Sequence, residues 1–257
     1  MHASAVHRSR IVPRGLPASA VAALFVNECD RDASLVAIPR PEPHLVVRFG
    51  PSAQSGLDIH VLGGQQRVRR KLIPAGQRAV SARLHVGAAE AVLGVPASEV
   101  AGRIVALDEL WGEAATRPLF ERLTNARTST DAAAIVQSAI ADRFARADDA
   151  RRVKPSLALK AAEKLVDTNV NTVAVDLGLS ERHLRRIFRD AFGLSPKAYA
   201  RLARFHRALD AARDDNCASW ASIAAASGYY DQAHLIDEFR AIAGVTPRAL
   251  LGELVYI

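Results

Sequence analysis

Four arginines stand close together in the stretch "GLSERHLRRIFRDAFGLSP", residues 178–196. Within it, Leu184, Phe188 and Phe192 recur at helical spacing and predict one buried stripe of a helix. Off that stripe lie Arg182, Arg185, Arg186 and Arg189. A planar guanidinium fork binds a phosphate, or the O6 and N7 edge of guanine, through two parallel hydrogen bonds. The pattern therefore predicts a helix that presents positive charge to nucleic acid.

The residues around this helix predict where it begins and ends. Ser180 can cap its N-terminus, with Glu181 in the first turn, where a carboxylate suits the helix dipole. Gly193 ends it, since glycine readily takes a positive φ. A shorter helix precedes it, with Asn171 as the predicted cap and Gly178 supplying the turn. A short helix, a turn containing glycine and a second helix with a basic face are typical of a helix-turn-helix.

The same plan recurs in "GYYDQAHLIDEFRAIAGVTP", residues 228–247. Asp231 is the predicted cap of the second helix, and its inward face is formed by Leu235, Phe239 and Ile242. One continuous helical pattern over residues 195–213 joins the two copies. Two recognition helices on one face of DNA lie roughly 34 Å apart. The repeat therefore predicts one chain that reads two successive major grooves.

These features resemble a known family. Residues ~155–254 look like the tandem helix-turn-helix domain of the AraC/XylS (arabinose-regulator) transcription factors, whose signature corresponds to "SIAAASGYYDQAHLIDEFRAIAGVTPRALL". The resemblance implies that Arg182, Arg185 and Arg186 contact bases and phosphates, and that Gln232, Ala233 and His234 read bases in the second unit. The candidate DNA-binding set is Ser180, Glu181, Arg182, Arg185, Arg186, Arg189, Asp231, Gln232, Ala233, His234 and Arg240.

One departure from the family pattern concerns charge. Where the family usually carries an arginine two residues before the phenylalanine of the second copy, this chain has Asp237, followed by Glu238. Two carboxylates near a phosphate backbone would repel it, so the first unit would supply most of the affinity. Asp237 could instead pair with Arg240 or Arg207 and be structural. One face of the linking helix carries Arg201, Arg204 and Arg207. The sequence leaves open whether these arginines contact phosphates.

The N-terminal half has a different texture. Segments 44–50, 57–64 and 78–87 are short, rich in Val, Ile and Leu, and bounded by Gly or Pro, which predicts strands. Short helices follow, and residues 129–146 predict a longer one. The fold class is therefore α+β in two domains. Residues 1–150 would form a small β-rich, barrel-like domain with trailing helices, and residues 151–257 an all-α tandem helix-turn-helix.

Residues 73–112 resemble the N-terminal domain of a subset of these regulators. The resemblance implies a domain that senses a small molecule or mediates oligomerisation. Three histidines, His44, His60 and His85, lie in β-like segments, but they lack the tight spacing of metal ligands and are read as ordinary core or surface residues. The run from Arg67 to Lys71 is read as a solvated edge or loop. Trp111 is read as a buried helix anchor rather than part of a ligand pocket.

Composition narrows the class of protein. The chain has 257 residues, a formal net charge of +7 and 49% hydrophobic residues, which predicts a globular protein that attracts polyanions. No apolar run approaches a membrane span, and no secretory leader stands out, so a cytoplasmic, nucleoid-associated protein is expected. Two cysteines, Cys29 and Cys217, argue against a disulfide scaffold or a multi-cysteine zinc site. No catalytic, metal or cofactor site is predicted.

The leading hypothesis is a sequence-specific transcriptional regulator, not an enzyme. Its partners would be double-stranded promoter DNA and RNA polymerase, with an effector and homodimerisation through the N-terminal half left open. One alternative is a DNA-targeted enzyme with a catalytic β-rich half, but no nucleophile with an adjacent base is recognisable. A helical repeat that binds protein is a third hypothesis. It fits poorly, because such a helix more often shows an apolar outer stripe.

Overall fold

The computed structural model describes residues 6–12, 20–148, 155–166, 168–214 and 219–255. The predicted boundary between residues 150 and 151, and Cys217, lie outside the described residues. Strands in the N-terminal half are β1 (Val6–Ile11), β2 (Val21–Cys29), β3 (Ala33–Ala37), β4 (His44–Phe49), β5 (Leu57–Leu62), β6 (Arg69–Ile73), β7 (Arg78–Leu84) and β8 (Ile104–Ala106). The predicted strands correspond to β4, β5 and β7.

The described strands form two antiparallel sheets. The larger has the order β1-β2-β7-β4-β5-β8, and the smaller pairs β3 with β6. Side chains of a strand point alternately to the two faces of its sheet. On one face of the larger sheet, Leu45 and Val47 of β4 and Val80 and Ala82 of β7 are fully buried in the core. The other face carries polar and charged residues.

Helices cover the apolar face of the larger sheet. They are α1 (Ala89–Leu93), α2 (Ala97–Val100), α3 (Leu107–Trp111), α4 (Glu113–Thr124) and α5 (Ser129–Arg146). The last matches the helix predicted from periodicity. It packs against β2 and β7 through Ala133, Val136 and Ile140. The N-terminal half therefore has its own hydrophobic core beneath one face of the sheet.

The C-terminal half is helical throughout its described residues. The elements are α6 (Pro155–Leu165), α7 (Val170–Asp176), α8 (Glu181–Phe192), α9 (Pro196–Asp214), α10 (Trp220–Ala226), α11 (Gln232–Ala243) and α12 (Pro247–Val255). The predicted cap of the short helix is wrong: Asn169, not Asn171, accepts the Thr172 N–H at 3.0 Å. No helix within the described ranges is both long enough and apolar enough to cross a membrane.

The smaller sheet joins the two halves. Val36 of β3 is buried in the hydrophobic core of the helical half. The Val68 N–H donates to the Ile242 carbonyl at 2.9 Å, next to β6. Arg70 of β6 donates to both carboxylate oxygens of Glu253, at 2.8 and 3.0 Å, and to the Ala243 carbonyl at 2.9 Å. The run from Arg67 to Lys71, predicted to be a solvated edge or loop, thus contains a strand tied to α11 and α12.

A second contact between the halves lies at the end of α8. Gly193 has φ +70°, and a Cβ there would come within 2.8 Å of the Ala97 carbonyl oxygen and the Ala101 Cβ. Glycine is needed at this position both for its backbone conformation and for the close approach of α2. His206 of α9 lies 2.7 Å through Nε2 from the Pro39 carbonyl oxygen. The β-rich half therefore contacts α8, α9 and α11.

Candidate nucleic-acid interface

The first helix-turn-helix consists of α7, a turn at Gly178 (φ +66°) and α8. The Ser180 hydroxyl accepts the His183 N–H at 3.2 Å, so the predicted N-cap is confirmed. Leu184, Phe188 and Phe192 are buried, as the periodicity predicts. The two phenylalanine rings stack with centroids 4.3 Å apart, which adds aromatic contact to their burial. This packing anchors the inner side of α8 and leaves the opposite side outward.

The outward side of α8 carries the four predicted arginines, and all four are exposed. Arg185 pairs with Glu181 at 2.5 Å, one helical turn earlier. The other three arginines have no ion pair to another described residue. Glu181 therefore holds one arginine along the helix, and Arg182, Arg186 and Arg189 keep their hydrogen-bonding groups available for a polyanion.

The second helix-turn-helix consists of α10, a turn at Gly228 (φ +80°) and α11. Asp231 caps α11 by accepting the His234 N–H at 2.7 Å, as predicted. Leu235, Phe239 and Ile242 form the buried face. The proposed reading residues Gln232, Ala233 and His234 are exposed together in the first turn. The structure thus exposes corresponding surfaces of the two units.

Glu238 is the residue whose surroundings the sequence analysis predicted wrongly, since it placed this carboxylate near the DNA backbone. Its side chain is only 13% exposed and lies 3.2 Å from Arg201 and 3.3 Å from Arg204 on α9. Burial, followed by the charge of Glu238, raises the pKa of the neighbouring Tyr229. A sequence signal was present: Glu238 aligns with the half-buried Ile187 of the first copy. A carboxylate at an inward position requires a cationic partner.

These contacts show the partner of two of the three arginines on the linking helix α9. Arg201 and Arg204 pair with Glu238 and so hold α11 against α9. Arg207 donates to the Val166 carbonyl at 3.5 Å, toward α6. The linking helix therefore uses these cations to set the position of the second recognition helix. The sequence left open whether the arginines of the linking helix contact phosphates. The pairing with Glu238 gives Arg201 and Arg204 a structural role.

Asp237 has a different environment from its neighbour. Its side chain is 75% exposed and lies 3.5 Å from Arg240, also largely exposed, three residues later on α11. An exposed pair of this kind is worth little, roughly 0–1 kcal/mol. Of the two partners considered from sequence, the structure brings Arg240 and not Arg207 to Asp237. The exposed side of α11 consequently carries a carboxylate where α8 carries Arg186.

Asp237→Arg is expected to tighten DNA binding and to steepen its dependence on salt. The change removes a repelling charge and adds one phosphate-binding cation at an exposed position, so the log–log salt slope should increase by about one phosphate contact. Titration of DNA at several salt concentrations measures the slope. Asp237→Gln is the control that removes charge without adding any. A lower melting temperature with unchanged DNA affinity would show instead that Asp237 is structural.

Comparison with known proteins agrees with this geometry. Residues 173–252, which include both recognition helices, match the family described as a helix-turn-helix domain. Residues 173–252 are an AraC-type helix-turn-helix domain. The chain is a DNA-binding transcriptional regulator with an N-terminal β-rich domain. Its helix-turn-helix family is one of transcription regulators. No curated protein sequence matches the chain.

Three solved structures show a weak overall likeness to this chain. Apo ToxT from Vibrio cholerae, in a variant form, is 10% identical, with a TM-score of 0.42 over 93% of this chain and 98% of that one. Unsaturated fatty acid-bound wild-type ToxT is 8% identical, with a TM-score of 0.44 over 93% and 96%. The AraC-like transcriptional activator CuxR is 13% identical, with a TM-score of 0.26 over 79% and 86%.

In the N-terminal half of the regulator, different residues surround Trp111, His60 and Cys29. Trp111 donates to the Val92 carbonyl at 3.0 Å, and the Arg143 guanidinium lies 4.9 Å from its ring centroid, so it anchors α3. His60 lies 3.1 Å from Asp58. Cys29 is buried, and burial raises the pKa of its thiol, which makes it a poor nucleophile.

An open cavity of about 390 Å³ lies between β5, α3 and α4. Its lining includes the carboxylates of Asp58, Asp108 and Glu113, together with Arg117 and the ring of Phe120. Arg48 donates to both carboxylate oxygens of Asp58, at 2.9 and 2.6 Å, and holds the pKa of that carboxyl low despite its partial burial. The cavity therefore has an acidic rim and suits an anion poorly.

Proposed function

We propose that this regulator reads two successive major grooves of promoter DNA, with α8 and α11 as its recognition helices. The observation that carries the proposal is the set of exposed arginines on α8, within a domain of the helix-turn-helix family. The corresponding first turn of α11 exposes Gln232 and His234, whose side chains can hydrogen-bond to base edges. The single helix α9 joins the two units and sets their separation.

The two helix-turn-helix units contribute unequally to the affinity for DNA. Arg182, Arg186 and Arg189 supply most of the electrostatic attraction, because phosphate neutralisation dominates affinity. Arg185 contributes less, since it is paired with Glu181. In the second unit, Gln232, Ala233 and His234 read bases, with Arg240 as the nearby cation. Ser180 and Asp231 act through the N-caps by holding each recognition helix in place.

The N-terminal half has the role of a sensor in this proposal. Residues 1–150 form the sensing or oligomerising domain and residues 151–257 the DNA-binding domain. A regulatory role is supported by the contacts of the β-rich half with α8, α9 and α11, since a change in that half can reach both recognition helices. RNA polymerase is the proposed protein partner. The regulator acts on DNA in the cytoplasm and catalyses no reaction.

Selection of binding sites from random duplex DNA tests this function directly. With full-length protein, the expected product is a bipartite motif whose half-sites lie about ten base pairs apart, the first sharper than the second. A single half-site in the selected sequences would contradict the two-groove arrangement. Absence of any enriched motif, in the full chain and in the helical fragment alike, would contradict the proposed function.

The fragment of residues 152–257 is expected to fold and to bind the selected site. Its helices share one hydrophobic core, to which the β-rich half contributes the buried residue Val36 and some partly buried neighbours. The fragment should melt at a lower temperature than the full chain, because Val36 and the Arg70–Glu253 pair are lost. Circular dichroism and a DNA titration measure both outcomes. An aggregated or unfolded fragment would show that the two halves fold only together.

A further inference from the structure

The polar face of the larger sheet brings basic residues from four segments together. His44 of β4 lies opposite Arg83 of β7 in the strand register. Phe25 of β2 lies opposite both Ser81 of β7 and Arg10 of β1, and Arg8 is two residues from Arg10 on the same strand. Directly paired residues of antiparallel strands point to the same face. Arg40, on the loop before β4, joins this set, which we call the arginine cluster: Arg8, Arg10, Arg40 and Arg83.

Charge repulsion within the cluster shows that its members are close. Partial burial, then Arg40 and Arg83, lower the pKa of Arg8. Burial, with Arg40 and Arg10, lowers the pKa of Arg83 even though Glu42 acts in the opposite sense. Like charges at this distance repel one another, and an anion bound between them would relieve the repulsion.

At least one donor of the cluster has no acceptor among the residues that the structure describes. The Nε atom of Arg83 is buried and lacks a hydrogen-bond partner among the described residues. Arg8 lies over the Phe25 ring, 3.9 Å from its centroid, and no hydrogen bond joins its guanidinium to another described residue. Leaving a buried donor unpaired costs free energy, because the group has lost its hydrogen bonds to water. A ligand that accepts hydrogen bonds at this place would recover that free energy.

His44 adds a neutral polar group to the same place. Its Nδ1 lies 3.1 Å from the Ser81 hydroxyl. Burial, followed by the charges of Arg83, Arg40 and Arg8, lowers its pKa to about 3, so the imidazole is uncharged near neutral pH. When Nδ1 accepts the Ser81 proton, Nε2 carries a proton and can donate. The imidazole can therefore bind an anion without adding to the repulsion.

Nearby carboxylates do not balance the cluster. Glu42 lies close enough to act on the charge of Arg83, and one of its carboxylate oxygens is itself buried without a partner. Asp210 of α9, in the helical half, acts on the charge of His206. Arg40 acts on the same histidine, so Asp210 faces the same region. Glu42 and Glu163 both act on Tyr199 of α9, so Glu163 also lies toward this region. Four guanidinium groups thus face three carboxylates, and the excess positive charge lies where the loop before β4 contacts α9.

We infer that the arginine cluster, with His44 and Ser81, is the binding site of a small molecule that carries a carboxylate or phosphate group. The inference rests on the proposed sensing role of the N-terminal half and gives that role a ligand class. An oxyanion accepts from two guanidinium N–H groups at once, and Arg83 and Arg8 provide such forks. The ring of Phe25, beside the cluster, can contact an apolar part of the same molecule.

The test compares ligands that differ in charge but not in shape. Full-length protein is titrated by calorimetry with benzoate, with the neutral isostere benzamide and with inorganic phosphate, at one ionic strength. Benzoate or phosphate should bind with one-to-one stoichiometry and raise the melting temperature, whereas benzamide should do neither. Stronger binding of benzoate identifies an organic carboxylate as the ligand, and stronger binding of phosphate identifies a phosphate ester.

Arg83→Gln should weaken that binding by at least about tenfold, because it removes the guanidinium whose Nε is buried without a partner among the described residues. Arg117→Gln is the matched control, since Arg117 is the cation of the cavity between β5, α3 and α4. The control should bind the anion as the native protein does. Should Arg83→Gln fail to fold, Arg8→Gln on the edge strand β1 answers the same question.

Three results would overturn the inference. These are equal effects of benzoate and benzamide, loss of anion binding in Arg117→Gln but not in Arg83→Gln, and no binding of either anion. DNA binding is measured on the same samples. If DNA binds specifically and the anions do not, the anion site is wrong and the proposed function stands. If the anions bind through Arg83 and no DNA site is found, the proposed function is wrong and the site stands.

Discussion

Alanine at Arg182 or at Arg186 is expected to weaken specific DNA binding by about 1–3 kcal/mol without unfolding the protein. Both side chains are exposed on α8, four residues apart, and neither has an ion pair among the described residues. Each can therefore give its full hydrogen-bonding capacity to a phosphate or a guanine. Removing both should lower the affinity further and reduce the salt slope.

The measurement is a titration of the selected DNA site at several salt concentrations, with melting temperature as the check on folding. Arg185→Ala is the internal comparison and should have a smaller effect, since Arg185 is partly neutralised by Glu181. Arg122→Ala, on the exposed surface of α4, is the matched control and should leave binding unchanged. If Arg182→Ala binds as tightly as the native protein, α8 is not the recognition helix.

Replacing Glu238 by alanine is expected to destabilise the helical half by on the order of 3 kcal/mol. The substitution leaves Arg201 and Arg204 partly buried, at 40% and 25% exposure, without the carboxylate that pairs with them. It also removes the polar contact that holds α11 on α9. The second recognition helix should lose its fixed position, so binding to the second half-site should fall more than binding to the first.

Asp237→Ala, one residue earlier, is the matched control for this experiment. Its carboxylate is 75% exposed, and surface substitutions of this kind usually change stability by no more than about 0.5 kcal/mol. Urea unfolding of both variants gives the difference in free energy. Glu238→Gln, which keeps hydrogen-bonding capacity but not charge, should fall between the two. Equal stabilities of the Glu238→Ala and Asp237→Ala proteins would show that the pairing with α9 contributes nothing.

The two helix-turn-helix units could be predicted closely from the sequence. Ser180 and Asp231 cap the recognition helices, and Leu184, Phe188, Leu235 and Phe239 are buried as their spacing indicates. The error over the cap of α7 was a shift of two residues, from Asn169 to Asn171. Neighbouring asparagines offer the same capping chemistry, and only the backbone conformation selects between them. The resemblance to a family added the roles of the reading residues.

The strands of the N-terminal half were only partly predictable. The segments of β4, β5 and β7 show alternating apolar residues, because one face of each is buried. By contrast, β1 and β6 are mostly exposed and rich in arginine, so they lack that alternation. Their strand conformation depends on pairing with β2 and β3 rather than on their own composition. A strand at the edge of a sheet leaves a weak signal in sequence.

The sequence by itself determined the helices of the DNA-binding domain, their caps and the basic face of α8, because these depend on residues within one or two helical turns. Only the tertiary structure decided which charges are paired. Glu238 meets Arg201 and Arg204, Arg70 meets Glu253, and the arginine cluster assembles from separate strands. Such pairs join residues distant in the chain, and their free energies depend on burial and distance, which local spacing does not specify.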